Sequence, residues 1–170
     1  MSKAFIVLGM HRSATSLTAG GLNSMGVDIG SYILPPDIGN EKGHFENEEF
    51  MYLNELMLRA AGGSWDDPPP EEKILEMGPM FKYEITHLIE RSKSDLWGWK
   101  DPRTTLTIKN YMPYLENPHF IVNFRNPMDV AKSLKARDGM SIASGLDLAR
   151  VYNERLLSFL SEEPFNTETV

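Results

Sequence analysis

The sequence predicts an α/β domain with a short, mainly parallel sheet and helices on both faces, of the type that carries a phosphate-binding loop. An apolar run at residues 4–8 has the β-branched and aromatic content of a buried strand. A tight turn follows at residues 9–16, and a helical pattern begins directly after it. A second apolar run, at residues 119–124, precedes another helix start. Strands that alternate with helices are typical of a parallel α/β sheet.

The elements between these two strands follow from periodicity. A helix over residues 15–25 ends at Gly26, and residues 27–29 are a short second strand. Residues 32–43 are rich in Pro, Gly and Asn, which predicts a loop long enough to be functional. The spacing of apolar residues predicts helices over residues 50–60, 74–88 and 146–159, and a short strand over residues 96–99.

Two dipeptides have the form of an N-cap followed by proline at the first helical position, Asp101-Pro102 and Asn126-Pro127. Among the tryptophans, Trp97 and Trp99 flank a glycine in a strand, so we expect both in the core. Trp65 lies in a proline-rich loop, where it either lines an acceptor pocket or neighbours acidic residues that cap a helix.

Composition fits one domain and excludes several classes of function. The chain has 170 residues, 41% hydrophobic and 24% charged, which is ordinary for a single globular domain over residues 1–170. Its net charge of −7 disfavours a nucleic-acid partner or an acidic membrane surface. No apolar stretch approaches the roughly 20 residues of a membrane span, and the start lacks the pattern of a signal peptide. Without cysteine there is no thiolate chemistry, and we expect a cytoplasmic protein.

The turn after the first strand reads Gly-Met-His-Arg-Ser-Ala-Thr-Ser, a phosphate-loop sequence in which Arg12 replaces the usual lysine. A strand that turns tightly into a helix directs backbone N–H groups and the positive end of the helix dipole at one point, where an anion binds. Ser13, Thr15 and Ser16 also suit helix capping, which uses the same N–H groups. The turn therefore predicts a phosphate or sulfate site.

A second anion site is predicted after the strand at residues 119–124. In a nucleotide triphosphatase such a strand commonly ends in an aspartate that helps to hold magnesium, whereas here Arg125 follows. The planar fork of an arginine donates two parallel hydrogen bonds to a phosphate, and the hydroxyl of Ser133, two turns into the next helix, adds a third. The alternatives are an ordinary salt-bridge arginine and an exposed serine.

Together the two motifs resemble the signatures of the sulfotransferase family, whose donor is 3′-phosphoadenosine 5′-phosphosulfate. In that family a basic residue followed by Ser-Gly-Thr holds the 5′-phosphosulfate, and residues 12–16 are similar to it. An arginine and a serine eight positions later bind the 3′-phosphate, which is the spacing of Arg125 and Ser133. The resemblance covers roughly residues 5–155 and is closest to bacterial-type members with a Gly-Met-His-Arg-Ser start and a Lys-Asp-Pro-Arg segment.

The resemblance implies a P-loop-like fold and transfer of a sulfuryl group to a hydroxyl or amine acceptor, such as a small molecule or a carbohydrate. It assigns donor binding to Arg12, Ser13, Ala14, Thr15, Ser16, Arg125 and Ser133. Ala14 replaces the family's glycine, and a left-handed backbone there costs about 1–2 kcal/mol. The chain also ends before a later donor-contacting segment of many members, so we expect a compact variant or a C-terminally truncated product.

In-line transfer at sulfur needs a base for the acceptor's proton and cations for the departing phosphate oxygen. Glu46 is similar in position to the glutamate base of several sulfotransferases, and its alternative role is an acidic residue at a helix start. His11 and His44 are the substitutes, since neutral imidazole titrates near the working pH. Lys100 and Arg103 are expected to supply charge to the sulfuryl group, or else to form a solvated helix start. The four histidines are too dispersed to predict a metal site.

Two other functions stay open. A non-catalytic nucleotide-binding module is suggested by Ala14 and the early C-terminus. A P-loop nucleotide kinase is less favoured, because it needs a lysine in the loop and an acidic residue after an apolar strand. The acceptor and the oligomeric state are not determined by these motifs, because a fold and a donor site do not specify them.

Overall fold

The computed structural model describes residues 2–31, 33 and 44–162. Within these residues, three parallel strands form one open sheet in the order β2-β1-β3. The strands are β1 (Lys3–Gly9), β2 (Leu96–Lys100) and β3 (Pro118–Asn123). The predicted α/β class with a short parallel sheet is confirmed.

The described helices flank this sheet. They are α1 (Thr15–Ser24), α2 (Glu48–Ala60), α3 (Glu71–Met77), α4 (Lys82–Ser92), α5 (Thr104–Tyr111), α6 (Pro127–Asp138) and α7 (Ile142–Glu162). Two 3₁₀ turns, Gly78–Phe81 and Met112–Tyr114, follow α3 and α5. Among the described helices, none combines the length and the apolar character that crossing a membrane requires.

The central strand β1 is buried on both faces, which explains its continuous apolar run. Ala4, Ile6 and Leu8 belong to the main core, which also contains side chains of α2, α4, α5 and α7. Phe5 and Val7 point to the other face, where they join the cluster that contains side chains of α1. The carboxyl end of β1 is therefore held rigidly from both sides.

Strand β2 packs closely on β1 and carries two core tryptophans. Trp97 and Trp99 are buried, as predicted, and the ring of Trp99 stacks on that of Phe50 at a centroid distance of 4.2 Å. Between them, Gly98 approaches Phe5 so closely that a Cβ atom would collide with the Phe5 carbonyl oxygen. Only glycine permits this approach of the two strands.

The prediction of one helix over residues 74–88 is wrong. The segment is divided into α3, the turn Gly78–Phe81 and α4. Pro79 lacks a backbone N–H, which interrupts the helical ladder. Gly78 is also pressed against another element, because a Cβ atom there would lie 2.5 Å from Oδ1 of Asn110.

Two smaller predictions are also wrong. Residues 27–29 form no strand but a single parallel bridge, in which Asp28 N–H donates to the Leu96 carbonyl at 2.9 Å. Helix α5 begins at Thr104 rather than after Asp101, whose carbonyl accepts from the Thr104 N–H at 2.9 Å. The Asp101 carboxylate instead faces Arg103 and Asn54, because buried cationic and amide donors compete for it.

The other predicted elements are confirmed with small shifts. Asn126 caps α6, since its Oδ1 accepts from the Met128 N–H at 2.9 Å. The last predicted helix lies inside the longer α7, and the strand predicted over residues 119–124 is β3. Of the predicted loop at 32–43, residues 32 and 34–43 lie outside the described residues.

Candidate functional site

A cleft of about 600 Å³ opens at the carboxyl end of β1, between the loop that follows this strand, α1 and the ends of β2 and β3. Ligands of parallel α/β sheets bind at this edge. Nine of the predicted site residues line the cleft: His11, Arg12, Ala14, Thr15, Ser16, His44, Glu46, Lys100 and Arg125. The structure thus brings together residues that are far apart in the sequence.

The loop begins at a glycine that no other residue could replace without displacement. Gly9 has φ +150°, and a Cβ atom there would lie 2.8 Å from both the Asn123 carbonyl oxygen and Ser13 Oγ. The Gly9 N–H donates to Thr105 Oγ1 at 2.9 Å, which fastens the end of β1 to α5. Thr105 was not predicted from the sequence. Its hydroxyl fixes the point from which the loop starts.

Two non-glycine residues of the loop are left-handed, Arg12 at φ 67° and Ala14 at φ 68°. Ala14 therefore adopts the conformation for which the sequence analysis expects an energetic cost. It directly precedes α1, and its exposed methyl group lies on the cleft wall. The backbone N–H groups of Ala14 and Thr15 have no hydrogen-bond acceptor among the described residues. Such N–H groups at a helix N-terminus favour an anion.

The two predicted anion-binding motifs are in direct contact. Arg12 Nε donates to Ser133 Oγ at 2.8 Å, across a separation of 121 residues. Arg125 NH1 donates to the Arg12 carbonyl oxygen at 2.8 Å. The loop after β1, the second residue after β3 and the first turns of α6 therefore form one cluster of donors.

Ser13 is placed differently from the other loop residues. Its Oγ donates to the Met10 carbonyl at 2.6 Å, and its side chain is buried. It is also absent from the cleft lining, whereas Thr15 and Ser16 are present. The Ser13 hydroxyl therefore holds the loop closed, and the Ser13 backbone N–H donates to the same carbonyl at 3.2 Å.

Glu46 and Lys100 form a buried ion pair at the opposite wall of the cleft. Lys100 Nζ donates to Glu46 Oε1 at 2.7 Å, and the residues are 1% and 7% exposed respectively. Glu46 Oε2 also lies 3.8 Å from NH1 of Arg103. Burial lowers the pKa of Lys100, and the Glu46 carboxylate opposes this shift. The Glu46 carboxylate thus lies between two cations, a third role besides base and helix-start acid.

Arg103 does not belong to the cleft lining. NH1 of its guanidinium donates to Asp101 Oδ1 at 2.7 Å, and NH2 lies 3.2 Å from Glu55 Oε1. Asp101 in turn accepts from Asn54 Nδ2 at 2.8 Å. Arg103, expected to supply charge to the sulfuryl group, is therefore part of a buried network of charged and amide side chains. Its link to the cleft lining is the ion pair with Glu46.

The side chain of His11, within the loop, is buried and packs on aromatic rings. Its ring lies 4.5 Å from that of Trp65 and 6.1 Å from that of Tyr152. Its Nε2 atom is buried and has no hydrogen-bond partner in the described part of the chain. Burial, followed by the charges of Arg103 and Arg137, holds the pKa of His11 well below its ordinary value. The imidazole is neutral at neutral pH.

Arg137 is a cleft residue that the sequence analysis missed. It lines the cleft, and its guanidinium carbon lies 5.6 Å from the centre of the Trp65 ring. It follows Ser133 by four positions on α6, a spacing that places both residues on one helix face. That spacing is the signal in the sequence that would have found it.

The cleft also has an apolar wall formed by α1 and the segment before α2. Leu17, Gly20 and Phe45 contribute to it, and Leu17 is 75% exposed. A Cβ atom at Gly20 would lie 3.2 Å from the Phe45 ring, so the glycine lets the ring pack against α1. Trp65, predicted as one possible lining residue, does not line the cleft. It packs against the ring of His11 instead.

In the described part of the chain, no group of three or more acidic or histidine side chains is arranged to hold a metal ion. Comparisons of the chain with protein-family models, with curated proteins and with solved structures found no match.

Proposed function

We propose that this protein transfers a sulfuryl group from 3′-phosphoadenosine 5′-phosphosulfate to a hydroxyl or amine acceptor. The observation that carries the proposal is the contact between the two anion-binding motifs. Arg12 and Ser133, which belong to separate motifs of the sequence, share a hydrogen bond of 2.8 Å at one edge of the sheet. A donor with a 5′-phosphosulfate and a 3′-phosphate requires two anion sites side by side.

The residues present fit such a donor. The backbone N–H groups of Ala14 and Thr15 would hold the 5′ side together with Arg12. Arg125 and Ser133 would hold the 3′-phosphate, and the Arg12 carbonyl that Arg125 now contacts is the weaker acceptor. The bound donor supplies an activated sulfuryl group. The chain's own contribution is the positioning of charge around it.

On the acceptor side, Glu46 and Lys100 are the groups placed to handle a proton and a developing charge. Both line the cleft, and their ion pair fixes the position of the carboxylate. The Glu46 carboxylate lies 2.7 Å from the Lys100 ammonium and 3.8 Å from the Arg103 guanidinium. Glu46 would accept the proton of the acceptor hydroxyl, and Lys100 would stabilise charge on the departing phosphate oxygen.

A non-catalytic nucleotide-binding module is the second candidate, and the same ion pair favours it. A carboxylate held by Lys100 at 2.7 Å and flanked by Arg103 at 3.8 Å serves structure without any chemistry. Both functions predict that the nucleotide binds. They differ only in whether a sulfuryl group is transferred.

The test of the donor site is a comparison of nucleotides by thermal unfolding. Adenosine 3′,5′-bisphosphate should stabilise the protein by about 2.7 kcal/mol at a hundredfold excess over its dissociation constant. ATP with magnesium and 5′-AMP should stabilise it much less. Equal shifts with adenosine 3′,5′-bisphosphate and ATP would overturn the proposal in both its forms. Release of adenosine 3′,5′-bisphosphate from the sulfated donor, assayed with a panel of acceptors, then separates the transferase from the binding module.

A further inference from the structure

Arg137 is a cationic side chain of the cleft that the proposed donor site leaves without a role. Arg12, Arg125 and Ser133 form the donor cluster, and Lys100 is paired with Glu46. Arg137 lies one helical turn beyond Ser133, about 6 Å further along α6. Arg137 therefore lies next to the donor cluster, on the side toward the C-terminal end of α6.

The local contacts of Arg137 leave part of its guanidinium available. Its Nε donates to the two carboxylate oxygens of Asp138 at 2.8 and 2.9 Å. Its NH1 and NH2 atoms have no hydrogen-bond acceptor among the described residues. Asp138 is exposed, and an exposed ion pair contributes little. The Trp65 ring beneath the guanidinium fixes its plane, as aromatic rings do for bound arginines.

A second unsatisfied polar group lies at the same place. Nε2 of His11 is buried and has no partner among the described residues, and the residue is 6% exposed and lines the cleft. The His11 ring packs at a tilt against Trp65, whose ring also lies beneath the Arg137 guanidinium. A buried polar atom without a partner costs stability unless a ligand or water completes it.

The charges of the cleft lining point to the kind of ligand. Four of its described residues are cationic, Arg12, Lys100, Arg125 and Arg137, and Glu46 supplies the one carboxylate among them. The described lining therefore carries an excess of positive charge, although the whole chain has a net charge of −7 and Arg137 is paired with Asp138 outside the lining. A positive wall disfavours a cationic amine and favours an anion.

We propose that Arg137, with His11 beside it, binds an anionic group of the acceptor, so that the acceptor is a hydroxyl compound carrying a carboxylate, phosphate or sulfate. The inference rests on the proposed function for the identity of the second ligand. The apolar wall of Leu17, Gly20 and Phe45 would contact the apolar part of such a compound, and Arg137 would bind its anionic group. Arg137 is then a specificity residue and takes no part in the transfer itself.

The experiment compares two probes of nearly equal shape, 4-hydroxybenzoate and its neutral analogue 4-hydroxybenzamide. Calorimetry measures the affinity of each for the full chain saturated with adenosine 3′,5′-bisphosphate. The unmodified protein should bind the anionic probe at least tenfold more tightly than the neutral one. Arg137→Gln should bring the two affinities together, and Arg137→Lys should retain part of the preference, since it keeps the charge without the fork.

Arg150→Gln is the matched control, because Arg150 is exposed on α7 and bonds to Glu154 one turn away. It should leave the preference unchanged. An equal affinity of the two probes for the unmodified protein, undetectable binding of 4-hydroxybenzoate at millimolar concentration, or a preference that survives Arg137→Gln would each overturn the inference. An unchanged affinity of Arg137→Gln for adenosine 3′,5′-bisphosphate shows that the variant cleft is intact.

Failure of the proposed function gives a different result. In that case adenosine 3′,5′-bisphosphate does not bind the unmodified protein, whatever the probes do. The two probes are then titrated into the nucleotide-free protein with the same variants. A preference that depends on Arg137 would support an anion site at this wall, and its absence would remove both proposals.

Discussion

The two sides of the cleft differ in whether their cationic side chains are paired with carboxylates. On the side of β2, Lys100 and Arg103 are buried and face carboxylates, Glu46 and Asp101 respectively. On the side of α6, Arg125 is exposed and its guanidinium contacts a backbone carbonyl. The buried cations are neutralised by the chain itself, as desolvation demands. Arg125 has no carboxylate partner among the described residues, so the two sides differ in whether the chain itself pairs its cations.

The largest expected effect comes from breaking the buried pair. Glu46→Gln should lower the free energy of unfolding by about 3–5 kcal/mol, because it leaves the Lys100 ammonium buried without its partner. Lys100→Met should cost a similar amount for the converse reason. The double variant Glu46→Gln with Lys100→Met should recover most of the loss, since no charge is then unpaired. Guanidinium unfolding measures all three.

Glu49→Gln is the control for the buried pair. Glu49 lies three residues further on and pairs with Arg91 on the surface, where an ion pair contributes about 0–1 kcal/mol. A loss at Glu46 no greater than that at Glu49 would show that the pair on the β2 side is not structural. A transfer rate that folded Glu46→Gln reduces by about 10²–10⁴ more than folded Lys100→Met does would identify Glu46 as the base as well.

The opposite result is expected on the α6 side. Arg125→Ala should weaken binding of adenosine 3′,5′-bisphosphate by about 1.5–3 kcal/mol, the contribution of a charge-assisted hydrogen bond. Binding of 5′-AMP should change little, so the discrimination between the two nucleotides disappears. The free energy of unfolding should fall by less than about 1 kcal/mol, because the side chain is exposed.

Calorimetry with both nucleotides checks this prediction, and Arg150→Ala serves as the exposed control. An affinity ratio that Arg125→Ala leaves unchanged would place the 3′-phosphate elsewhere. A large loss of stability would instead put Arg125 in the same structural class as Arg103.

The α6 side was the more predictable of the two from the sequence. Arg12, Arg125 and Ser133 occur in local patterns, in which a strand is followed directly by a turn and a helix start, and local rules place such residues at one sheet edge. Arg137 shares a helix face with Ser133 and could have been found by the same rule. Local patterns sufficed for Arg12 and Arg125 because each lies within three positions of a strand end, and Ser133 was found by its spacing from Arg125.

The β2 side depends on contacts between distant segments, which local patterns do not specify. Glu46 and Lys100 were each singled out, yet their pairing across 54 residues was not. The same holds for Thr105, whose hydroxyl holds Gly9 across 96 residues. By contrast, the break at Gly78–Phe81 was encoded locally by a Gly-Pro pair, and apolar periodicity concealed it.

Acidification should lower the stability of the protein through His11, which lies in the loop between the two sides of the cleft. Burial holds the pKa of His11 well below its ordinary value, so the folded chain keeps it neutral while the unfolded chain binds a proton below about pH 6.5. The free energy of unfolding should therefore fall as the pH is lowered from about 6.5 toward the folded pKa, by at most about 1.4 kcal/mol per pH unit.

The measurement is the difference between the unmodified protein and His11→Asn in urea unfolding at a series of pH values. The advantage of the unmodified protein should shrink below about pH 6.5, and His87→Asn, at an exposed position, is the matched control. Parallel stability curves for the unmodified protein and His11→Asn would mean that water or a ligand reaches the imidazole in the folded state.

The smallest effect tests the loop that joins the two sides. Ala14 is left-handed at φ 68° and ψ 16°, a conformation that costs a residue with a Cβ atom about 1–2 kcal/mol and glycine almost nothing. Ala14→Gly should raise the free energy of unfolding by about 1 kcal/mol, since the greater flexibility of glycine in the unfolded chain offsets part of the gain. Ala136→Gly, at an exposed position inside α6, should lower it by about 0.5–1 kcal/mol, because there the backbone is already relaxed. Chemical unfolding of the two variants gives opposite signs if the loop is strained as the structure has it. A loss of stability in both would mean that the loop relaxes to an ordinary helical turn, and the N–H groups of Ala14 and Thr15 would then no longer be arranged for an anion.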